Sequence, residues 1–282
     1  MGKICDLHAH SVFSDGTYTP AQLLQEAREK GISALALTDH NTVAGLPDFL
    51  AAGELYPDIE IIAGVEFSTD YRGTELHILA LGVKPGDFAT VTEMTRRYHI
   101  RKEESNRALA ENLQKIGCLM DYDRIKTSTP NGQVNRALIG AELMKLGYVS
   151  SMQEAFQKYL NPSCGYYVPP KREEPAAMLD FIRQLGAVSV LAHPLLNLTP
   201  GELRRFLQEL GPRRPVGMEV LYSTYSEEET RIVGEMADEF GILHSGGSDF
   251  HGSIKPDIAL GQGKGHLKVP YSLWEKLKKH IA

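Results

Sequence analysis

The chain has 282 residues, of which 42% are hydrophobic and 23% charged, and a formal net charge of −6. These values fit a globular protein of one large or two modest domains and exclude wholesale coating of nucleic acid through bulk positive charge. No apolar run approaches the roughly 20 residues of a membrane helix, the first residues carry no signal-peptide core, and three widely spaced cysteines (Cys5, Cys118, Cys164) predict a reducing, cytoplasmic setting without a disulfide framework.

A short strand over residues 4–8 opens the chain. Thr19 as N-cap and Pro20 at the first helical position start a helix that runs to about residue 30 and closes at Gly31. Residues 34–37 read as a buried strand ending at Thr38-Asp39-His40, and residues 47–55 as a helix. Residues 59–65 form the next strand, which ends at Glu66, and a further strand covers 75–81. Alternation of this kind predicts an α/β fold with largely parallel strands.

Between residues 84 and 170 the pattern becomes helical, over 87–116, 136–146 and 151–159, with no strong strand signal. Residues 83–172 hold fourteen Lys and Arg against nine Asp and Glu, whereas the rest of the chain holds sixteen against twenty-seven. A basic middle segment in an acidic body suits an anionic substrate, although a solvated helical surface would have the same composition. Pro169-Pro170 and Glu174-Pro175 mark the return to alternation. A helix over 176–185 leads to a strand over 187–192 that ends at His193-Pro194. Then come helix 201–210, strand 217–220, helix 226–240, strand 243–245 and a glycine-rich loop over 246–252. About seven strands with helical crossovers predict a (β/α) barrel. Residues 1–83 and 171–282 would form it and 84–170 would be a helical insertion. In such barrels strand ends meet at one mouth.

Nine potential metal donors fall mostly where strands are expected to end: His8, His10, Asp15, His40, Glu66, His77, His193, Asp249 and His251. His8 and His10, two apart on a strand, share a face, with Asp6 below them as a candidate to hold an imidazole tautomer. Singly, several are ordinary: Asp15-Gly16 reads as a turn, and His77 between Leu76 and Ile78 as a satisfied core histidine. Glu66 is more pointed, because an acid so close to an apolar strand needs a partner, and a metal pair bridged by one carboxylate would provide it. The recurrence of imidazole and carboxylate at successive strand ends predicts binding of Zn, Mn or Fe. Nucleophilic catalysis through cysteine has no support, since none of the three adjoins these histidines. No glycine-rich loop matches a phosphate-binding or dinucleotide pattern.

Asp-Leu-His-Ala-His-Ser at 6–11, Thr-Asp-His-Asn at 38–41, Gly-Val-Glu at 64–66, Leu-His-Ile-Leu at 76–79, Ala-His-Pro at 192–194 and Gly-Ser-Asp-Phe-His at 247–251 resemble, in order, the motifs of the PHP (polymerase and histidinol phosphatase) family. The resemblance implies a distorted seven-stranded (β/α) barrel with a helical insertion subdomain and two to three divalent ions. His8, His10, Glu66 and Asp249 would hold one ion, Glu66, His77 and His193 the second, and Asp15, His40 and His251 the third. Within the family the chain is similar to nucleotide phosphoesterases. That similarity implies hydrolysis of a phosphomonoester (a 3′,5′-nucleoside bisphosphate such as pAp, or AMP) by a metal-activated hydroxide, with His193, Glu66 and Asp249 as the catalytic set. Asn135, Arg136 and Arg107 of the insertion are the matches for phosphate contacts. The run Glu104-Ser105-Asn106-Arg107 is less arginine-rich than the family's. A 5′→3′ exoribonuclease on short RNA, a phosphatase of histidinol phosphate or another small phosphomonoester, and a metal-stabilised binding module are the competing expectations. The expected partner is a small phosphorylated substrate, nucleotide or short RNA, with neither a membrane nor a stable nucleic-acid complex.

Overall fold

The structure is a computed structural model that describes residues 2–129, 132 and 134–282. It divides into two compact units, Met1–Thr92 with Glu173–Ala282, and Glu93–Arg172. Among the described residues the first unit holds all the strands: β1 (Ile4–Asp6), β2 (Ile32–Leu37), β3 (Glu60–Tyr71), β4 (Thr74–Leu81), β5 (Val188–Ala192), β6 (Gly217–Tyr222), β7 (Leu243–Gly247) and β8 (Val269–Pro270). They form one sheet in the order β7-β6-β5-β4-β3-β2-β1-β8. Beyond β1 the chain stays extended and meets β7 and its continuation: Leu7 N donates to Gly246 O, Asp249 N to His8 O and His10 N to Phe250 O. The sheet is thereby nearly closed into a barrel.

Helices α1 (Pro20–Glu29), α2 (Leu46–Gly53), α7 (Pro175–Gln184), α8 (Pro200–Leu210), α9 (Glu227–Phe240) and α10 (Tyr271–Leu277) belong to the same unit. α1 starts as its sequence dictates. Thr19 Oγ1 accepts from Gln22 N while Gln22 Oε1 accepts from Thr19 N, and Pro20 occupies a position whose N–H would have no partner. The barrel core joins small residues of β2 (Ala34, Ala36) to Leu79, Leu81, Val188 and Val190, and α10 adds Trp274 and Leu277. α10 begins where Tyr271 N donates to Lys3 O, at the entry end of β1 and away from His8. The short α10 and the two-residue β8, antiparallel to β1, have no counterpart in the sequence reading.

Apart from the edge pair β1–β8, parallel pairing is interrupted at one place. β4 runs antiparallel to both β3 and β5. β3 does not stop at residue 65 but continues to Tyr71 and reverses through Arg72 (φ 55°) and Gly73 (φ 85°). Two successive left-handed residues give the tight turn whose twist matches antiparallel strands, and Asp70 Oδ1 accepts from Gly73 N to fix it. The second unit is helical: most of α3 (Phe88–Lys115), then α4 (Tyr122–Ser128), α5 (Arg136–Lys145) and α6 (Met152–Ala155), which passes into a wider turn over Phe156–Leu160. It has its own core, including Leu109, Leu113, Ile139, Leu143 and Leu160. Among the described residues no helix is long and apolar enough to cross a membrane.

Candidate metal centre

All nine donors lie in the first unit, in four overlapping groups whose ligand atoms lie within 4.8 Å of one another. The groups are His8, His10 and Asp249; His8, Glu66 and His193; His40, Glu66 and His77; and His10, Asp15, His40 and His251. Glu66 is central. Its Oε2 lies 3.2 Å from both His8 Nε2 and His10 Nε2 and 3.0 Å from His40 Nδ1. Its Oε1 lies 2.9 Å from His77 Nδ1 and 3.1 Å from His193 Nε2. Each carboxylate oxygen therefore faces a different set of imidazoles. Glu66 sits in mid-strand, paired with Leu79 of β4 on one side and bridged to His40, just beyond β2, on the other. His77 reaches the same place because β4 is reversed: Leu79 pairs with Glu66 and His77 with Ser68, two residues further along β3, from where its imidazole meets the Glu66 carboxylate.

Local structure fixes each donor. Ala9, between His8 and His10, bridges to Phe250, so both imidazoles point to one side. A Cβ at Gly247 would lie 2.4 Å from His8 Cβ, so only glycine fits there. Asp39 accepts from Ser11 N (2.7 Å), Ser11 Oγ (2.6 Å) and Ser14 Oγ (2.6 Å), which ties down the loop that carries Asp15. Asn41, at φ 52°, donates its N–H to Glu66 O and exchanges side-chain hydrogen bonds with Ser68, holding His40 over β3. His193 (φ 28°) and Asp249 (φ 54°) are also left-handed. Asp249 Oδ1 lies 3.2 Å from His10 Nε2, while its Oδ2 accepts from Tyr222 Oη and Lys255 Nζ, each at 2.7 Å.

Two residues take roles the sequence did not show. Asp6 touches no imidazole. It accepts from the backbone N–H groups of His8, Ser248 and Gly261 and from Ser248 Oγ, and so pins the two chain segments that carry His8 and Asp249. The carboxylate against an imidazole is instead Glu219 on β6, wholly buried, whose Oε1 lies 2.9 Å from His8 Nδ1. A lone acid in the apolar run Gly-Met-Glu-Val-Leu was the available signal.

The donor set fits metal. His8 Nε2 and His10 Nε2 face each other at 3.0 Å, a hydrogen-bond distance when one of them carries the proton and close to the roughly 3.3 Å edge of a tetrahedron with 2.0–2.1 Å metal–nitrogen bonds. Three buried polar atoms around Glu66 (its own Oε2, His40 Nδ1 and His77 Nδ1) have no hydrogen bond of acceptable geometry. Unpaired buried atoms of this kind are costly unless a cation joins them. The electrostatics agree. Burial pushes Glu66 up, yet the imidazoles of His40, His8 and His77 hold it well below the usual carboxylate range. Despite burial, Glu66 with Glu75 raises His77 to about 10, and Asp249 with Glu66 raises His10 to about 9. His40 goes the other way: burial, only partly offset by Glu66 and Asp15, takes it down to about 3. Solvent reaches the cluster from one side, since Asp15, His40 and His77 are 30%, 20% and 16% exposed while His8, His10 and Glu66 are fully buried.

The three expected phosphate contacts belong to the helical unit. Asn135 is the N-cap of α5, its Oδ1 accepting from Leu138 N at 2.8 Å. Arg107 pairs with Asp123 (2.8 Å) and Glu103 (3.3 Å) above the Tyr122 ring. Arg136 lies over the rings of Tyr167 and Phe156 and donates to Leu160 O.

A PHP domain model matches residues 6–166, which takes in six of the nine donors. A 5′-3′ exoribonuclease of Haemophilus influenzae is 31% identical over 98% of this chain and 100% of that protein. A 3′,5′-nucleoside bisphosphate phosphatase of Chromobacterium violaceum is 27% identical over 98% and 97%. Among solved structures, a Chromobacterium violaceum amidohydrolase with bound sulfate and no metal is 26% identical, covers 99% of this chain and 97% of its own, and has a TM-score of 0.84. A Bifidobacterium adolescentis structure, 24% identical over 99% and 97%, has a TM-score of 0.85 and shows the shared fold. With the motif order, the barrel and the near full-length relatives in agreement, the chain belongs to the PHP-domain family.

Proposed function

We propose that the protein, a phosphoesterase of the PHP family, hydrolyses the phosphomonoester of a nucleotide: a 3′,5′-nucleoside bisphosphate such as pAp, or AMP. The carrying observation is the division of the Glu66 carboxylate, one oxygen toward His8, His10 and His40 and the other toward His77 and His193. That geometry supports two to three divalent ions, Mn, Fe or Zn. The first would be held by His8, His10, Glu66 and Asp249, the second by Glu66, His77 and His193, and the third by Asp15, His40 and His251. Bound there, such ions would polarise phosphoryl oxygens and acidify an attacking water. His8, His10 and His40 each fall in two donor groups, so the geometry accommodates other partitions among the ions.

The protein's own groups set the rest. Glu66, His193 and Asp249 form the floor of the reaction site, and the exposed edges of Asp15, His40 and His77 mark where a phosphate enters. Lys255, its ammonium 2.7 Å from Asp249, is a cation of the same unit within reach of an anion at that rim. In the helical segment 84–170, which we take as the insertion contributing phosphate contacts, Arg136 is better suited than Arg107. The guanidinium of Arg107 is already paired with two carboxylates, whereas that of Arg136 is steadied by aromatic faces. Three free cysteines fit a cytoplasmic place of work.

A second reading, stepwise 5′→3′ removal of nucleotides from short RNA, is favoured by the relatives named 5′-3′ exoribonuclease at 31% identity. The test is product release by the Mn²⁺-loaded protein from pAp, AMP, histidinol phosphate and a short 5′-phosphorylated RNA, each with and without EDTA. EDTA-sensitive phosphate release from pAp or AMP supports the first reading, and nucleotide release from RNA the second. Fully metal-loaded protein silent on all four would refute both.

A further inference from the structure

Glu219 carries a contact pattern that neither its strand position nor the metal reading requires. It is completely buried on β6, and both of its oxygens are engaged. Oε1 lies 2.9 Å from His8 Nδ1, and Oε2 accepts the backbone N–H of His193 at 2.7 Å. The β6–β7 register slips directly after it, between Glu219 and Leu221. Slips of this kind turn a side chain away from the regular pleat. His8 and His193 stack with ring centroids 5.6 Å apart, and each approaches a different oxygen of Glu66.

We infer that Glu219 is a positioning residue that couples two ion positions of the centre, setting the imidazole of His8 for one and the strained backbone of His193 for the other. The inference rests on the metal reading above. Since the His193 N–H can only donate, Oε2 must accept. A carboxylate that also accepts at Oε1 keeps the proton of His8 on Nδ1, and the lone pair of Nε2 then points at His10, Glu66 and Asp249. The second bond holds His193 at φ 28°, an unfavourable conformation for a residue with a Cβ. The same group thus orients Nε2 of His8 toward Glu66 Oε2 and Nε2 of His193 toward Glu66 Oε1. Any shift in Glu219 is felt at both.

Glu219→Gln tests this through the chemistry of an amide. Its single oxygen can accept from His8 or from His193, but its NH₂ must face the other donor. If the NH₂ faces His8, the ring proton moves to Nε2 and blocks the metal lone pair. The probe is Mn²⁺ alone, titrated calorimetrically into the EDTA-stripped, dialysed full chain, with metal content measured after dialysis. Glu219→Gln, folded by circular dichroism, is expected to lose about 10–100-fold in Mn²⁺ affinity at two binding steps, the range for losing a group behind a ligand. Tyr225→Phe is the control, because Tyr225 Oη accepts from Leu195 N at 2.8 Å and its loss loosens the His193 loop without touching a donor. It should bind Mn²⁺ as the native protein does.

Native affinity and stoichiometry in folded Glu219→Gln, loss at a single step, or an equal loss in Tyr225→Phe would each overturn the coupling. Should Glu219→Gln fail to fold, ¹⁵N NMR of the native Zn²⁺-loaded protein decides: a slowly exchanging proton on His8 Nδ1 supports it, and a proton on Nε2 overturns it. Mn²⁺ binding is read without substrate, so a silent activity panel leaves this result standing. A native protein that binds no Mn²⁺ would refute the metal reading as well.

Discussion

Stripping the metal should make the stability of the barrel fall as pH rises. In the metal-free protein His10 is raised from 6.5 to about 9 and His77 from 6.5 to about 10, both by buried carboxylates that outweigh desolvation. A group bound more tightly to its proton in the folded state contributes its full stabilisation below the unfolded value, here 6.5. It loses that contribution as pH climbs through the folded value. For His10 the gap corresponds to about 3 kcal/mol at 1.36 kcal/mol per pH unit. His77 draws on the same Glu66 charge, so the two do not add, and about 3 kcal/mol is the working figure for the pair. His40 has the opposite sign: held down to about 3, it weakens the fold as pH drops below 6.5 and leaves the alkaline window untouched. With metal bound, the ion replaces those protons and binding strengthens as pH rises, because fewer protons have to be displaced. The difference in Tm between Mn²⁺-saturated and EDTA-treated protein should therefore widen between about pH 6 and pH 9. The first unit has about 200 residues, so at roughly 2–4 °C per kcal/mol the added gap is about 6–12 °C. Differential scanning calorimetry across that range is the assay. A gap that stays constant, or narrows toward alkaline pH, refutes the assignment of these histidines as proton-bearing substitutes for metal.

Three substitutions probe the centre from other directions. Glu66→Gln keeps the shape but removes the charge shared by two sets of imidazoles; metal analysis should show loss at both, with turnover down by at least about 100-fold. Lys255→Met removes the rim ammonium while Tyr222 still holds Asp249, so metal content should stay near native and KM for the phosphate ester should rise about 10-fold, in line with one charged hydrogen bond. An unchanged KM would remove Lys255 from the substrate. Gly247→Ala forces a Cβ to within 2.4 Å of His8 Cβ and 2.7 Å of His8 N, and urea unfolding should show a loss of about 1–3 kcal/mol with weakened Mn²⁺ binding.

The donors were legible because each follows a local rule. His8 and His10 alternate on extended chain, and His40, His193 and Asp249 fall where an apolar run ends. Strand direction was not legible. Ser68, Thr69 and Asp70 look like a loop, yet β3 runs through them, since Thr69 Oγ1 donates to Leu76 O and Asp70 closes the turn at Gly73. A hairpin that reverses β4 cannot be distinguished by composition from a strand followed by a loop. For the same reason His77 passed for a core histidine when judged by its neighbours Leu76 and Ile78. Glu219 was missed because a single acid in a strand ordinarily marks a solvent face. Only the barrel's closure, which brings β6 beside His8, turns it inward. Asp6 was read on the correct face, but its oxygens are taken up by the backbone of the closing segment.

Four non-glycine residues adopt positive φ among those described, and three of them lie in the centre: Asn41, His193 and Asp249. The fourth, Arg72, is accounted for by its hairpin. Each left-handed residue costs about 1–2 kcal/mol, so the metal-free centre stores several kcal/mol that the rest of the fold must offset. The offset is visible as paired restraints. Asn41 is held by Glu66 O and Ser68, His193 by Glu219, and Asp249 by Tyr222. None of these bonds is needed to close a barrel. Their common effect is to turn a neighbouring or attached donor toward Glu66 before any ion arrives, so the conformational cost of assembling the ligands falls on folding and not on binding. Relaxing one of them should therefore leave the fold intact, or even steadier, while weakening the metal. A substitution that raised Tm and metal affinity together at Asn41, His193 or Asp249 would contradict the whole arrangement.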